Sequence, residues 1–256
     1  VIDHVGAGVT AFNLGQSVFG FLPSRPGPPP GDFAEAVVAR TDRIAENPLS
    51  VSHQQAAAVA TPGATAIQAM RGLGRLRKGQ RVAITGASGG VGLLAVAIAQ
   101  RLGASVTAIG SGPGLQLAKA AGAEHVIDRK LNAVPGTITG SFDLVFDPAA
   151  VHRAAHWKRC ITPKGHFVTT LPSMGFLADK VASLFGTRGV HWVNVKSRPA
   201  HLELLGQWLA DGLVAGCARE KSDALLRWSA GGQLADCVEQ RPRQRQVRRH
   251  CIDREL

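Results

Sequence analysis

Tyrosine is absent from this sequence of 256 residues, and cysteine is scarce. Without tyrosine the chain has no phenolic proton donor of its own. The cysteines form no Cys-x-x-Cys pair, and no histidine lies at zinc-finger spacing from a pair of them. This pattern favours reduced thiols over a disulfide framework or a structural metal site. The four cysteines are Cys160, Cys217, Cys237 and Cys251.

Long hydrophobic runs are also missing. No apolar stretch approaches the roughly 20 residues that a membrane-spanning helix needs, which predicts a protein without a membrane partner. The opening residues, Val1 to His4, lack the basic segment and apolar core of a signal peptide. The sequence therefore favours a cytoplasmic location, and its first residues look like an internal part of a longer chain.

Positive charge dominates, with a formal net charge of +11, but it is unevenly spread. Six arginines lie between residues 240 and 256, most of them in the run from Arg241 to His250. Such a run could bind nucleic acid or an acidic partner, or it could be a solvated tail. Because no aromatic residue alternates with the arginines to stack on bases, the sequence favours the tail and disfavours nucleic acid.

The most informative segment joins a short β-like run, Val82–Thr85, to an apolar helical run, Leu93–Leu102, through the glycine-rich turn Gly86–Gly92. Strand, tight turn and helix in this order are the context of a dinucleotide-binding site. The free N–H groups at the start of the helix favour phosphate, and Gly92 would let helix and strand pack closely. The residues predicted to line the pyrophosphate are Ser88, Gly89, Gly90 and Val91.

Strand-like and helix-like segments alternate from Thr65 to Val195. The alternation predicts an α/β fold with a doubly wound parallel sheet of Rossmann type, whose ligand binds at the carboxyl ends of the strands. Predicted strands are Val82–Thr85, Ser105–Ile109, His125–Ile127, Asp143–Phe146, His166–Thr170 and Val190–Val195, and predicted helices are 91–102, 114–121, 151–160, 176–185 and 202–209.

The first 60 residues differ, because short β-like pieces at Val5–Thr10 and Val18–Phe21 precede a proline-rich loop at Pro23–Gly31. Phe33–Ala39 is a further strand candidate, and Ser222–Ser229 is a helix candidate near the other end. We divide the chain into a β-rich unit at 1–62, a dinucleotide-binding unit at 63–196, and a segment at 197–256 that returns to the first unit and ends in the basic tail.

The second strand of the dinucleotide unit bears on the choice between NAD and NADP. An NAD site places Asp or Glu near the end of that strand to bind the ribose 2′-hydroxyl. Here the strand ends at Ser111, and no acidic residue occurs between Thr85 and Glu124. A 2′-phosphate would be repelled by a carboxylate and accepted by Ser111 and a cation. The sequence therefore predicts NADPH, although no Lys or Arg follows the second strand directly.

Four segments resemble the medium-chain dehydrogenase/reductase family, in its zinc-independent quinone oxidoreductase branch. Val5–Gly20 resembles part of the family's GroES-like domain, and Gln54–Ala66 resembles the segment leading into its cofactor domain. Thr85–Gly92 resembles the phosphate loop of that branch, and Gly122–Asp128 resembles a later strand. The resemblance implies a partial GroES-like domain, because family members usually have further β-strands ahead of the position of Val1.

The resemblance also indicates that no metal is bound. Thr61 occupies the position where the zinc-dependent branch has a cysteine ligand, and threonine is not a zinc ligand at neutral pH. No cysteine occurs between Gly31 and Gln54, where that branch has its structural zinc lobe.

Further cofactor contacts are implied in the same way. Thr65 would lie near the nicotinamide, and Arg129 occupies the place of a 2′-phosphate contact. Thr170 and Leu171, at a predicted strand end, could meet the carboxamide through their backbone groups. Each of these residues could also be purely structural. No catalytic acid or base stands out, and the scattered histidines are better explained as structural or exposed.

The resulting hypothesis is an NADPH-dependent reductase of a small-molecule substrate, a quinone, an enone or a related activated alkene. Two alternatives remain open. One is an enoyl reductase of a polyketide or fatty-acid pathway, and the other is a degenerate cofactor-binding protein whose tail binds RNA or another partner. Because family members pair an edge strand across a two-fold axis, Val190–Val195 also predicts a homodimer.

Overall fold

The computed structural model describes residues 1–22, 34–172, 174–184 and 186–212. Several sequence predictions lie outside these residues and stay predictions. They are the proline-rich loop, the start of the Phe33–Ala39 strand candidate, the helix at Ser222–Ser229, and the arginine-rich tail with three of the four cysteines.

A six-stranded sheet in which every neighbouring pair is parallel forms the centre of the molecule. Its strands are β3 (Arg81–Ile84), β4 (Ser105–Gly110), β5 (His125–Asp128), β6 (Phe142–Asp147), β7 (Ile161–Thr169) and β8 (Gly189–Trp192). They lie in the order β5-β4-β3-β6-β7-β8, so the strand order reverses between β3 and β6. This confirms the predicted α/β, doubly wound sheet of Rossmann type.

Helices cover both faces of the sheet because its strands are apolar on both sides. Val82 and Ile84 of β3 pack in one buried cluster with residues of the helices α1, α2, α3 and α5, whereas Ala83 packs in a second cluster with Trp157. The helices are α1 (His53–Ile67), α2 (Gly90–Arg101), α3 (Gly114–Ala120), α4 (Met174–Leu184) and α5 (Pro199–Ala210).

The first 62 residues contribute a two-stranded antiparallel sheet, β1 (Val18–Gly20) and β2 (Ile44–Glu46). Strand β1 packs against α1, and β2 packs against α5. Helix α1 begins with a capping box in which Ser52 and Gln55 bind each other's backbone N–H. The helix runs without interruption across the predicted boundary between residues 62 and 63, and the division into domains stays a prediction.

Four details of the predicted secondary structure were wrong. Val5–Thr10 forms no strand, and neither do residues 34–39 of the strand candidate Phe33–Ala39. The helix expected at 151–160 is only a short 3-10 turn at Ala154–Trp157. Strand β7 begins five residues before the predicted start, because its pairing with β6 shifts register between Phe142 and Leu144 and so accommodates Pro163-Lys164-Gly165 as a bulge. None of the helices in the described ranges has the length and apolar character required to cross a membrane.

Candidate functional site

A cavity of about 520 Å³ opens at the carboxyl ends of β3, β4, β5 and β6, where the strand order reverses. This is the location at which open α/β sheets bind their ligands. Its lining combines the glycine-rich turn with residues that follow the other three strands. Six of the nine predicted cofactor residues line it, namely Ser88, Gly89, Gly90, Val91, Ser111 and Arg129.

Close backbone packing gives the turn between β3 and α2 its shape. Gly86 has a positive φ of 57°, which favours glycine. A side chain at Gly92 would place its Cβ 2.7 Å from the carbonyl carbon of Gly86 and 2.8 Å from the Cα of Ala87. Only glycine therefore permits this approach of α2 to the turn. Gly89 is the N-cap of α2, and the first N–H groups of a helix have no partner within it and can bind phosphate.

Ser88 connects this turn to the end of β4. Its hydroxyl donates to the carbonyl oxygen of Ser111 at 3.0 Å and accepts from the backbone N–H of Ser111 at 3.1 Å. Both hydrogen bonds keep the Ser88 side chain on the protein rather than on a ligand. Ser88 therefore holds Ser111 in place, and the cradle that remains for phosphate is formed by backbone N–H groups.

Arg129 lies directly after β5, and its backbone N–H donates to the carbonyl oxygen of Gly110 at 2.9 Å. Its side chain is exposed at the cavity. Among the described residues that line the cavity, only Arg129 and His152 are ionisable, and no carboxylate is present. The cavity is therefore suited to an anionic group, and the roles of Ser111 and Arg129 toward a 2′-phosphate stay predictions.

Asp147, at the end of β6, is fully buried beneath the cavity. Its carboxylate accepts a hydrogen bond from the hydroxyl of Thr85 and another, of 2.8 Å, from the backbone N–H of His152. Thr85 ends the strand run of β3, so this carboxylate connects the two strands between which the order reverses. A buried carboxylate with two donors stabilises such a junction, whereas one without them would be costly.

His152 also lines the cavity, and sequence analysis had treated it as one of several structural histidines. Its ring contacts Trp157 edge to face, with centroids 5.8 Å apart. Burial lowers the pKa of His152 below its usual value; the Asp147 carboxylate opposes this, while His156 and Arg129 lower the pKa further. The useful signal in the sequence was its place shortly after the carboxyl end of an apolar strand.

The other three predicted cofactor residues do not line this cavity. Thr65 is buried within α1, and its hydroxyl donates to the carbonyl oxygen of Thr61 at 2.8 Å. Thr170 follows β7, where its hydroxyl donates to the carbonyl oxygen of Pro148 at 3.0 Å and its own carbonyl accepts from the Trp192 indole. Leu171 is exposed. Their roles toward the nicotinamide stay predictions.

A second, open cleft of about 690 Å³ lies in the first unit, between the opening residues, β1 and the start of α1. His53 and Thr61 on α1 both line it. Within the described ranges, no group of three or more His, Cys, Asp and Glu side chains is arranged to hold a metal ion. Whether the protein functions without zinc is not decided by this finding and stays a prediction.

Known proteins are similar to this chain in sequence and in fold. The profile of the family described as "Zinc-binding dehydrogenase" matches residues 90–188. The mouse (Mus musculus) protein "NAD(P)H oxidoreductase RTN4IP1, mitochondrial" is 33% identical over 153 residues, which cover 57% of this chain and 38% of the relative. The "Trans-enoyl reductase pgmF" of Aspergillus terreus is 30% identical, covering 80% of this chain and 61% of the relative.

Among solved structures, the quinone oxidoreductase from Coxiella burnetii superposes with a TM-score of 0.72 and 26% identity, covering 82% of this chain and 65% of that one. The chain thus spans less than two thirds of each of these three proteins. On its strand order, its phosphate turn and these relatives, the chain belongs to the medium-chain dehydrogenase/reductase superfamily and is similar within it to quinone oxidoreductases.

Proposed function

We propose that the protein is an oxidoreductase that uses NADPH to reduce a quinone, an enone or a related activated alkene, without zinc. The observation that carries this proposal is the cavity at the strand reversal. It combines a glycine turn suited to pyrophosphate with Ser111 and Arg129, and no carboxylate that would repel a 2′-phosphate lines it.

The residues present fit NADPH. Backbone N–H groups at the start of α2 would hold the pyrophosphate, because Gly92 allows that backbone to come close to the turn. Ser111 and the exposed guanidinium of Arg129 would hold the adenosine 2′-phosphate. When bound, the cofactor supplies the hydride. We assign no proton donor to a side chain, and the protein's task would be to orient the cofactor and limit access of water.

Reduction of an enoyl thioester is the second candidate. The similarity to the trans-enoyl reductase of Aspergillus terreus, over 80% of this chain, favours it. Oxidation of NADPH with a crotonyl thioester, and none with a panel of quinones and simple enones, would favour this candidate. Activity with the quinones or enones alone would support the first, and silence with every acceptor would contradict both.

We also propose a homodimer, since β8 is the edge of the described sheet and Trp192 at its end is 43% exposed. A two-fold axis could pair this edge with its copy. A mass of one chain in light scattering would contradict the dimer. A cytoplasmic location stays a prediction, and the mouse relative is called mitochondrial. The degenerate, partner-binding alternative concerns residues outside the described ranges.

The direct test of the cofactor is a titration of the 256-residue chain with NADPH and with NADH, followed by nicotinamide fluorescence. We expect tighter binding of NADPH. Arg129→Gln should weaken NADPH binding by about 10- to 100-fold, the worth of a charged hydrogen bond, and leave NADH binding unchanged. The control is Lys130→Gln, which removes a neighbouring exposed cation. Equal binding of both nucleotides would contradict the choice of NADPH.

A further inference from the structure

The permanent positive charge that lines the cofactor cavity is smaller than the negative charge of the 2′-phosphate of NADPH. Above its second pKa of about 6, a phosphate monoester carries close to two negative charges. Of the described residues that line the cavity, Arg129 alone carries a permanent positive charge, and His152 is the one other ionisable group there. Among the described residues that line the cavity, the group that can supply a second positive charge next to the phosphate is His152, by taking up a proton.

His152 is held in position by two contacts. Its backbone N–H donates to the buried carboxylate of Asp147 at 2.8 Å, which anchors the residue just beyond β6. Its ring lies edge to face on Trp157, a fully buried side chain. The imidazole is thus attached to the rigid end of the sheet, while the residue stays partly exposed at the cavity.

The charged groups that influence this imidazole come from three elements. They are Asp147 at the end of β6, Arg129 after β5 and His156 in the 3-10 turn. Together with burial, Arg129 and His156 outweigh Asp147 and keep the pKa of His152 below its ordinary value, so the ring is neutral at neutral pH. A dianion placed beside Arg129 would reverse the sign of the nearby charge and favour the protonated ring.

We propose that His152 is a second specificity determinant for the adenosine 2′-phosphate, and that it takes up a proton from solvent when NADPH binds beside Arg129. The inference rests on the proposed function, since it presupposes that the cavity binds NADPH. NADH lacks the 2′-phosphate and would not cause this uptake. Affinity for NADPH relative to NADH should therefore rise as the pH falls through the range in which His152 becomes protonated in the complex.

The size of the pH effect on NADPH affinity follows from the change in the pKa of His152. Each unit by which the bound phosphate raises the pKa of His152 increases NADPH affinity at low pH about tenfold relative to high pH. The 2′-phosphate itself titrates near pH 6 and weakens binding as it is protonated. That contribution is the same in a variant without the histidine, so the difference between wild type and variant reports His152 alone.

The test is isothermal titration calorimetry of the full chain with NADPH and NADH at pH 6 and pH 8, in two buffers of different ionisation enthalpy. His152→Gln keeps a polar side chain of similar size but cannot become charged. At pH 6 we expect wild type to take up more protons per NADPH than His152→Gln, by up to about one proton. With NADH, wild type and His152→Gln should take up the same number of protons per nucleotide. His125→Gln, which alters an exposed histidine on β5 that is not among the groups influencing His152, should behave as wild type.

Three outcomes would overturn the inference. Proton uptake with NADPH that is equal in wild type and His152→Gln would exclude a role for this residue, and so would uptake equal for NADPH and NADH. NADH binding by His152→Gln serves as the check that the variant is folded, and His152→Asn replaces it if that binding is lost. If wild type binds neither nucleotide, the proposed function fails as well, which distinguishes that failure from the first two.

Discussion

Two polar contacts join neighbouring strands of the same sheet, and they differ in chemistry and position. At the centre, the Asp147 carboxylate of β6 accepts from the Thr85 hydroxyl and from the His152 backbone, and it is fully buried. At the edge, His166 of β7 and His191 of β8 face each other, with Nδ1 and Nε2 3.1 Å apart, and both are partly exposed.

In the central contact, the Asp147 carboxylate accepts from two hydrogen-bond donors. In the edge contact, two imidazole rings, both of them bases, lie next to each other. Burial, together with the charges of Lys180, His166 and Arg75, lowers the pKa of His191 to about 4. Burial and Arg75 also lower the pKa of His166. A buried acceptor with both donors present stabilises the strand junction beneath the cofactor cavity. Because the pKa of each edge histidine is lowered in the folded protein, chiefly by burial, protonation of either one reduces stability.

Removal of the central acceptor should have the largest effect. Asp147→Leu leaves the Thr85 hydroxyl and the His152 N–H buried without an acceptor, at a cost of about 1–3 kcal/mol of unfolding free energy for each. Asp147→Asn should cost much less, because its amide can accept from His152 while the Thr85 hydroxyl turns to accept in return. Urea unfolding measures both variants.

The matched control for Asp147 lies at the other end of the same strand. Asp143 accepts from the Arg81 backbone at 3.0 Å but is partly exposed, so water can replace it. Asp143→Leu should therefore cost less than about 1 kcal/mol. Equal losses for Asp143→Leu and Asp147→Leu would show that burial of the central carboxylate does not matter.

A smaller effect on stability, with a clear effect on binding, is expected for Gly92→Ala. The added Cβ meets backbone atoms of Gly86 and Ala87, which cannot move as a side chain could. Overpacking of this kind costs about 1–3 kcal/mol of unfolding free energy. Displacement of the α2 N–H groups should also weaken nucleotide binding by about tenfold or more.

Gly72→Ala is the control for this substitution, because no atom lies within 4 Å of a Cβ at Gly72. Its nucleotide affinity and melting temperature should stay close to those of wild type. Unchanged nucleotide affinity in Gly92→Ala would mean that the close approach of α2 to the turn is not required for binding.

The smallest effect should appear at the edge, and only in acid. Because the pKa of His191 is lower in the folded state than in the unfolded state, unfolding takes up a proton as the pH falls from about 6.5 toward 4. The folded protein therefore loses stability over that range. His191→Gln should reduce this loss and leave stability at pH 8 nearly unchanged, as followed by urea unfolding at several pH values.

His125→Gln serves as the control for His191, since His125 is an exposed histidine on β5, at the opposite edge of the sheet. His125→Gln should leave the loss of stability at acid pH unchanged. If His191→Gln and His125→Gln behave alike, the two bases at the edge do not differ from ordinary surface histidines.

Much of the fold was predictable where local chemistry decides it. All six strands of the parallel sheet were located from apolar runs between helix-like segments, and the glycine turn was placed correctly at the start of α2. The helix expected at 151–160 failed for a physical reason. The Asp147 carboxylate binds the His152 backbone, and Trp157 is inserted into the core, so the chain makes only a short turn there.

The residues of the candidate site also fall into two groups, those that a local sequence motif locates and those whose place depends on tertiary contacts. Ser88 through Val91 are consecutive and run from the turn into the start of α2, so their placement at the cavity follows from a local motif. Thr65 was expected at the cofactor on resemblance alone; it lies within α1 and is not among the residues that line this cavity, and its role stays a prediction. His152 was missed because its place in the cavity depends on the hydrogen bond to Asp147 and on the nearby Arg129, which follows a different strand, β5.

By itself, the sequence determined the alternation of strands and helices, the phosphate turn and the lack of an acid after β4, because each depends on residues adjacent in the chain. Only the tertiary structure decided which strands lie next to each other, and with that which side chains share a cavity. Arg129 and His152 are far apart in sequence, yet they line one cavity because β5, β4, β3 and β6 assemble in parallel and bring their carboxyl ends to one edge.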